Sequence, residues 1–294
     1  MGRWSLLRQS FVELRNNDPL RMAGATSFFT TFALPPILII LFQLFGLFLS
    51  RRVVGSEMGE ILSNTLGEEG ARQIRVTTRG FRTMAQNWYM AAGGFLFLVF
   101  VATTLFTVIR NTLHDIWKIK TKNSRGIVAG LRLRGRSLLV ILLVGLLFLV
   151  GLLLDVFEVL AGNYMQKIWP AGSPFFAGAL NEIISVIIVT IWFIFLFRYL
   201  ADARPSWKVA VTGGCLTGIL FSAGKALLSF LIRNSNANTI YGASGSLVLL
   251  LLFVFYASFI LYFGASFIKV YAASLGQSLR PVNNAFHYQL QEVK

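Results

Sequence analysis

Long uncharged apolar runs alternate along the chain with shorter charged stretches. The most extended run is Thr239 to Tyr271, TIYGASGSLVLLLLFVFYASFILYFGASFIKVY. A lead containing Asn234, Asn236 and Asn238 precedes it, and small residues stand at Gly242, Ala243, Ser244, Gly245 and Ser246. About twenty apolar residues then pass before Lys269, enough for a helix to cross a bilayer. The small residues predict that another helix approaches closely.

The same pattern predicts five further spans, near 23–49, 88–109, 137–160, 182–200 and 209–232. The first opens with Ala23-Gly24-Ala25-Thr26-Ser27 and carries Pro35-Pro36. Prolines remove backbone donors, which predicts a kink, either fixed or acting as a hinge. Trp88-Tyr89 is an interfacial aromatic pair at the entrance to the second span. Before the first span, Trp4, Leu7, Phe11 and Leu14 recur at helical spacing with Arg8 and Arg15 off the stripe, predicting an amphipathic helix on the membrane surface. Asp18-Pro19 predicts a helix start, with Asp as N-cap and Pro at the first helical position.

Residues 50–87 are polar and predict an extracytoplasmic helical collar. Glu57, Glu60, Glu68 and Glu69 precede Arg72, Arg75, Arg79 and Arg82, and the arginine spacing of 3, 4 and 3 places them on one helical face. Such a stripe serves either as a solvated, partly self-neutralised face or as a positive funnel for an anionic substrate. Arg110 opens a strongly basic loop through Lys118, Lys120, Lys122, Arg125, Arg132, Arg134 and Arg136.

The predicted fold is an all-α membrane protein, a single domain over 1–294. It is a bundle of six transmembrane helices with an extra amphipathic helical segment between the first two spans. Composition agrees: 55% of the 294 residues are hydrophobic and 13% charged, about half the usual charged share of soluble domains. The formal charge of +15 bears on topology. With six spans, 18 basic residues fall on the side of both termini and 8 on the other, leaving Lys225 inside. The positive-inside rule then predicts that the N-terminal segment 1–22 and the tail 271–294 are both cytoplasmic. Arg3, Arg8, Glu13, Arg15, Asp18 and Arg21 interrupt the N-terminal stretch, so no cleavable signal is expected there. The one cysteine, Cys215, excludes an internal disulfide.

Several stretches together resemble the YihY/BrkB family of bacterial inner-membrane proteins. AGATSFFTTFALPPILIILF resembles that family's first span and TTLFTVIRNTLHDIW the close of its second. RPSWKVAVTGGCLTGILFSAGKALLSFLI and YGASGSLVLLLLFVFYASFILYFGAS resemble its last two spans. The resemblance implies a six-span protein of the bacterial inner membrane, linked to envelope integrity, serum resistance and lipid- or lipopolysaccharide-related transport. The family's early label as ribonuclease BN is generally considered mistaken. Where the family pattern has Gly-Ala-Glu near the end of the last span, this chain has Gly264-Ala265-Ser266, so a role of that acid does not carry over.

Ionisable groups inside spans are costly and mark functional interiors or helix-locking pairs. Asp155 lies 18 residues beyond Ser137 and Lys225 lies 18 beyond Trp207, so both sit about 27 Å along their helices towards the outer leaflet. Glu158 is one turn beyond Asp155, and Glu182 begins the fourth span. The spacing predicts that Lys225 faces Asp155 and Glu158, with Glu182 nearby, around an outward-facing polar cavity; a structural ion pair is the alternative. These four residues and the four stripe arginines are the expected substrate-binding groups.

Enzyme chemistry finds no foothold, and neither a catalytic residue, a metal nor a cofactor is expected. His114 and His287 lack metal-ligand spacing, and no phosphate-binding or dinucleotide loop occurs. Gly213-Gly214 with Gly218 reads as a small-residue helix contact, and His114-Asp115 beside Trp117 as an interfacial cap rather than a catalytic pair. The leading expectation is a transporter or flippase of a lipid or amphiphilic anion. A non-transporting scaffold for envelope assembly is the alternative, and a ribonuclease acting through the basic loop comes third. Membrane lipids are the expected partners, without a specific nucleic acid, and the pattern leaves the oligomeric state open.

Overall fold

The long C-terminal run forms a helix over Gly245–Ser274, and the other elements assemble around it. This is a computed structural model in which residues 3–45, 88–121, 173–234, 245–282 and 285–288 are described, together with Arg72 and Gly135. In chain order the elements are α1 (Arg3–Arg15), α2 (Pro19–Phe45), α3 (Trp88–Trp117), β1 (Ile119–Thr121), α4 (Ser173–Phe195), a π-helical turn (Leu196–Leu200), β2 (Ala203–Arg204), α5 (Trp207–Asn234), α6 (Gly245–Ser274), β3 (Arg280–Pro281) and β4 (Ala285–His287). The expected span at 137–160 and, apart from Arg72, the expected collar at 50–87 lie outside the described residues.

Among the described residues three stretches are long and apolar enough to cross a membrane: Glu182–Leu200, Trp207–Leu227 and Leu250–Ser274. α6 packs against α1, α2, α3 and α5, and α4 packs on α5. The inward faces form one apolar core that includes Leu14, Leu113, Trp117, Phe197 and Ile268. Large apolar side chains also point outward, among them Phe32, Leu96, Ile183, Ile219 and Leu252. In water such a surface drives association; in a bilayer it meets acyl chains.

Small residues set the spacing of α4, α5 and α6. A Cβ on Gly218 would collide with Thr190 of α4, and one on Gly224 with the Tyr256 ring of α6. That ring donates its hydroxyl proton to the Leu220 carbonyl at 2.7 Å. Gly214 and Gly218, four residues apart, thus form the close-packed face that membrane helices build from small residues, as the sequence predicts.

Four local expectations are corrected. α3 continues eight residues past Ile109, so Arg110 and His114 sit on a helix rather than in a loop. Ile109, Leu113, Ile116 and Trp117 are buried at helical spacing, and their burial sustains the extra turns. In α1 the buried face is Leu6, Ser10 and Leu14, while Trp4 and Phe11 of the predicted stripe are exposed. Packing on α6 rotates the helix away from the orientation a lone surface helix would take. Asp18 adopts φ 51, a left-handed conformation that Asp tolerates, instead of the extended geometry usual for an N-cap. The C-terminal stretch also holds strand as well as coil: β1 pairs antiparallel with β4 (Ile119 opposite His287) and β2 with β3 (Arg204 opposite Arg280). The chain reaches β3 through Gly276, at φ +66. There the Gln277 amide bonds the Ala272 carbonyl at 2.9 Å and the Gly276 amide bonds the Ala273 carbonyl at 3.0 Å, a Schellman ending that favours glycine.

Candidate functional site

Of the predicted site residues, Lys225 and Glu182 are described in full. Lys225, on α5, is half-buried and donates to the Ser185 hydroxyl of α4 at 3.3 Å. Ser185 lies one turn beyond Glu182, whose side chain is exposed. Among the described residues no ion pair joins Lys225 to Glu182. Lys225 is therefore brought to the α4 turn that Glu182 begins, with a hydroxyl as its neighbour. Asp155 and Glu158, with Arg75, Arg79 and Arg82, lie outside the described residues; Arg72 is helical and exposed.

The opposite end of the bundle concentrates charge that the sequence pattern did not assign to a site. Arg110 and His114, four residues apart on α3, present the same face. Both reach Asp202, in the short link after the π-helical turn. Arg110 Nη2 pairs with Asp202 Oδ2, and His114 Nε2 stands 3.2 Å from the same oxygen. The Asp202 backbone N–H also lies 3.2 Å from His114 Nε2. One ring nitrogen serves one of these partners at a time: unprotonated it accepts from the amide, protonated it donates to the carboxylate. All three side chains are nearly buried, at 13%, 9% and 11% exposure for Arg110, His114 and Asp202, so this pair is shielded from solvent screening.

A second set lies on the α1 side. Lys269 of α6 donates to Glu13 Oε1 at 2.6 Å and to the Ile116 carbonyl at 2.9 Å, so one ammonium ties α6 to α1 and satisfies a carbonyl of the last turn of α3. Lys118 donates to Asn17 Oδ1 at 2.9 Å. The indole N–H of buried Trp117 donates to the Ala265 carbonyl at 3.0 Å. Ala265 belongs to the Gly264-Ala265-Ser266 stretch, where Ser266 is fully buried and bonds the Tyr262 carbonyl at 3.0 Å. Beside β4, burial and then the charge of Asp115 push the Tyr288 phenol above its ordinary 10.0. The network joins α1, α3, α6 and the link before α5. Its signals in the sequence were an arginine and a histidine four apart after a span, and a lone acid, Asp202, between two spans.

Residues 10–285 match the family model described as Virulence factor BrkB. The chain is 24% identical over 271 residues to a UPF0761 membrane protein of Teredinibacter turnerae, covering 90% of this chain and 60% of the relative. It is 26% identical over 269 residues to one of Verminephrobacter eiseniae, covering 89% and 61%. A Saccharophagus degradans relative is 24% identical over 255 residues, covering 86% and 56%. The chain thus spans well under two thirds of the length of these relatives. No solved structure matches it.

Proposed function

We propose that the chain, which belongs to the BrkB family and is an integral membrane protein, moves an anionic amphiphile such as an acidic lipid across the bilayer along a polar path beside α4 and α5. The observation that carries this reading is Lys225. A cation set deep along an apolar helix is costly, and here its described neighbour is the neutral Ser185 hydroxyl. A cation so placed attracts an anionic head group and holds it by charge-assisted hydrogen bonds. In this reading the protein is multi-pass in a bacterial inner membrane. The end carrying α1, β1–β4 and most of the basic residues faces the cytoplasm. Lys225 lies towards the outer leaflet. No catalytic group, metal or cofactor is assigned.

The test is reconstitution. Liposomes containing the purified protein and a labelled acidic phospholipid in one leaflet are compared with protein-free liposomes. Faster equilibration across the bilayer supports the proposal. No movement of lipid or of small amphiphilic anions, with or without an imposed proton or ion gradient, removes it.

A second reading, a scaffold that recruits an envelope-assembly partner, is favoured by the charged network itself. The Arg110, His114 and Asp202 group and the Lys269–Glu13 pair join helices to one another, and buried ionic groups of this kind fix helix register. Under that reading Lys225 affects abundance alone.

A further inference from the structure

Between the π-helical turn, β2 and β3 lies a cavity of about 810 Å³, within the range of small-ligand sites. Arg198, Arg204 and Arg280 line it, with Ser206, Gln277 and Ser278, and among its described lining residues there is no acid. Arg204 and Arg280 stand directly opposite each other across the β2–β3 pair. Like charges in that register repel unless an anion lies between them. Both side chains are exposed, and among the described residues neither carboxylate nor carbonyl engages their guanidinium groups.

Arg198 is held differently. Its guanidinium carbon lies 4.1 Å from the centre of the Trp207 ring, and Nη1 donates to the Pro205 carbonyl. Its Nε is buried without a hydrogen-bond partner among the described residues. Stacking on an indole and one carbonyl bond fix the plane of the group while leaving donors over. Trp207 itself is 51% exposed at the start of α5, where an interfacial aromatic belongs. The Ser206 hydroxyl donates to Gln277 Oε1 at 2.8 Å and closes the wall between the α5 start and the β3 strand.

We infer that this cavity is a binding site for a phosphate group, gripped by Arg204 and Arg280 from two strands and by pre-oriented Arg198 from the third side. Guanidinium forks match phosphate oxygens in pairs, and three arginines of one sign converging on one cavity suit a multiply charged or bridging oxyanion. The phosphate comes either from the head group of an acidic lipid in the adjoining leaflet or from a soluble phosphate. The site stands on its own geometry and holds whether or not the bundle transports lipid.

The test uses the full chain in two arms. In nanodiscs holding equal phosphatidylglycerol and phosphatidylcholine, native mass spectrometry counts the lipids retained. In phosphatidylcholine nanodiscs, equilibrium dialysis measures binding of inorganic phosphate. Arg204→Gln/Arg280→Gln lowers binding about tenfold or more in the arm that supplies the ligand, the expected cost of losing charge-assisted bonds. Arg15→Gln/Arg21→Gln removes the same charge from exposed positions on α1 and α2 and changes it by less than about twofold. Loss confined to the lipid arm assigns a head group; loss in the phosphate arm assigns a soluble phosphate. Unchanged binding in both arms, or an equal loss in the α1–α2 control, overturns the site. If the double variant does not fold, Arg280→Gln alone is held to the same criteria.

Discussion

At the scale of single residues, Asp202 carries the most. Its carboxylate pairs with Arg110 and stands 3.2 Å from His114 Nε2, and all three are shielded from solvent. Removing one member of a buried pair strands the other charge, whereas replacing both with apolar groups of similar size is often neutral. Asp202→Ala is therefore expected to destabilise the protein by about 3–5 kcal/mol. Arg110→Met/Asp202→Leu should cost much less. Unfolding of the two variants in detergent, followed by denaturant titration, checks the ordering; equal losses would mean that Arg110 is not stranded. None of this was legible from the residue types alone. Asp202 lies in an ordinary polar link, and Arg110 looked like the first residue of a basic loop because the charge pattern outweighed the buried 109, 113, 116 and 117 positions.

At the scale of elements, the helix contacts were the most readable feature. Gly213-Gly214 with Gly218 announced a close helix pair, and Gly218 indeed faces Thr190 of α4. Gly218→Val forces the helices apart, with an expected cost of about 1–3 kcal/mol. A melt of the variant indistinguishable from the parent would show that α4 is free to shift. The orientation of α1 was not readable, since its apolar residues fit either lipid or α6 and only the packed partner decides. The strands were hidden because pairs of two and three residues carry no usable periodicity. One of them positions Tyr288, whose backbone N–H bonds the Lys118 carbonyl at 3.1 Å. Its phenol is raised in the folded state, so the neutral form is favoured there. The associated stability is fully present below the ordinary 10.0 and is lost as pH rises through the raised folded value. Asp115→Asn, which removes the secondary cause, should lower the alkaline midpoint of the Tyr288 titration. Ultraviolet difference titration of that variant against Tyr288→Phe isolates the signal, and an unmoved midpoint would remove Asp115 as a cause.

At the scale of the whole molecule, membrane class and family follow from the long apolar runs and from the order of several loosely similar stretches. The mechanism does not, because it depends on which intramembrane charges meet. Distance along a helix is legible from residue counts, but azimuth and partner are set by packing, and the three acids and the lysine singled out by depth share no spacing motif. The charges divide by position: the network at the α1 end joins helices, while Lys225 lies far along α5 beside a hydroxyl. That division makes transport separable from stability. The most direct measurement is the rate of acidic-lipid movement by proteoliposomes carrying Lys225→Met, normalised to folded protein and set beside Arg110→Met/Asp202→Leu in the same assay. Lys225→Met is expected to fold normally yet lose at least about tenfold in rate, the worth of a charge-assisted contact, while the double variant retains transport. A Lys225→Met protein that folds and moves lipid at the parent rate would contradict this expectation.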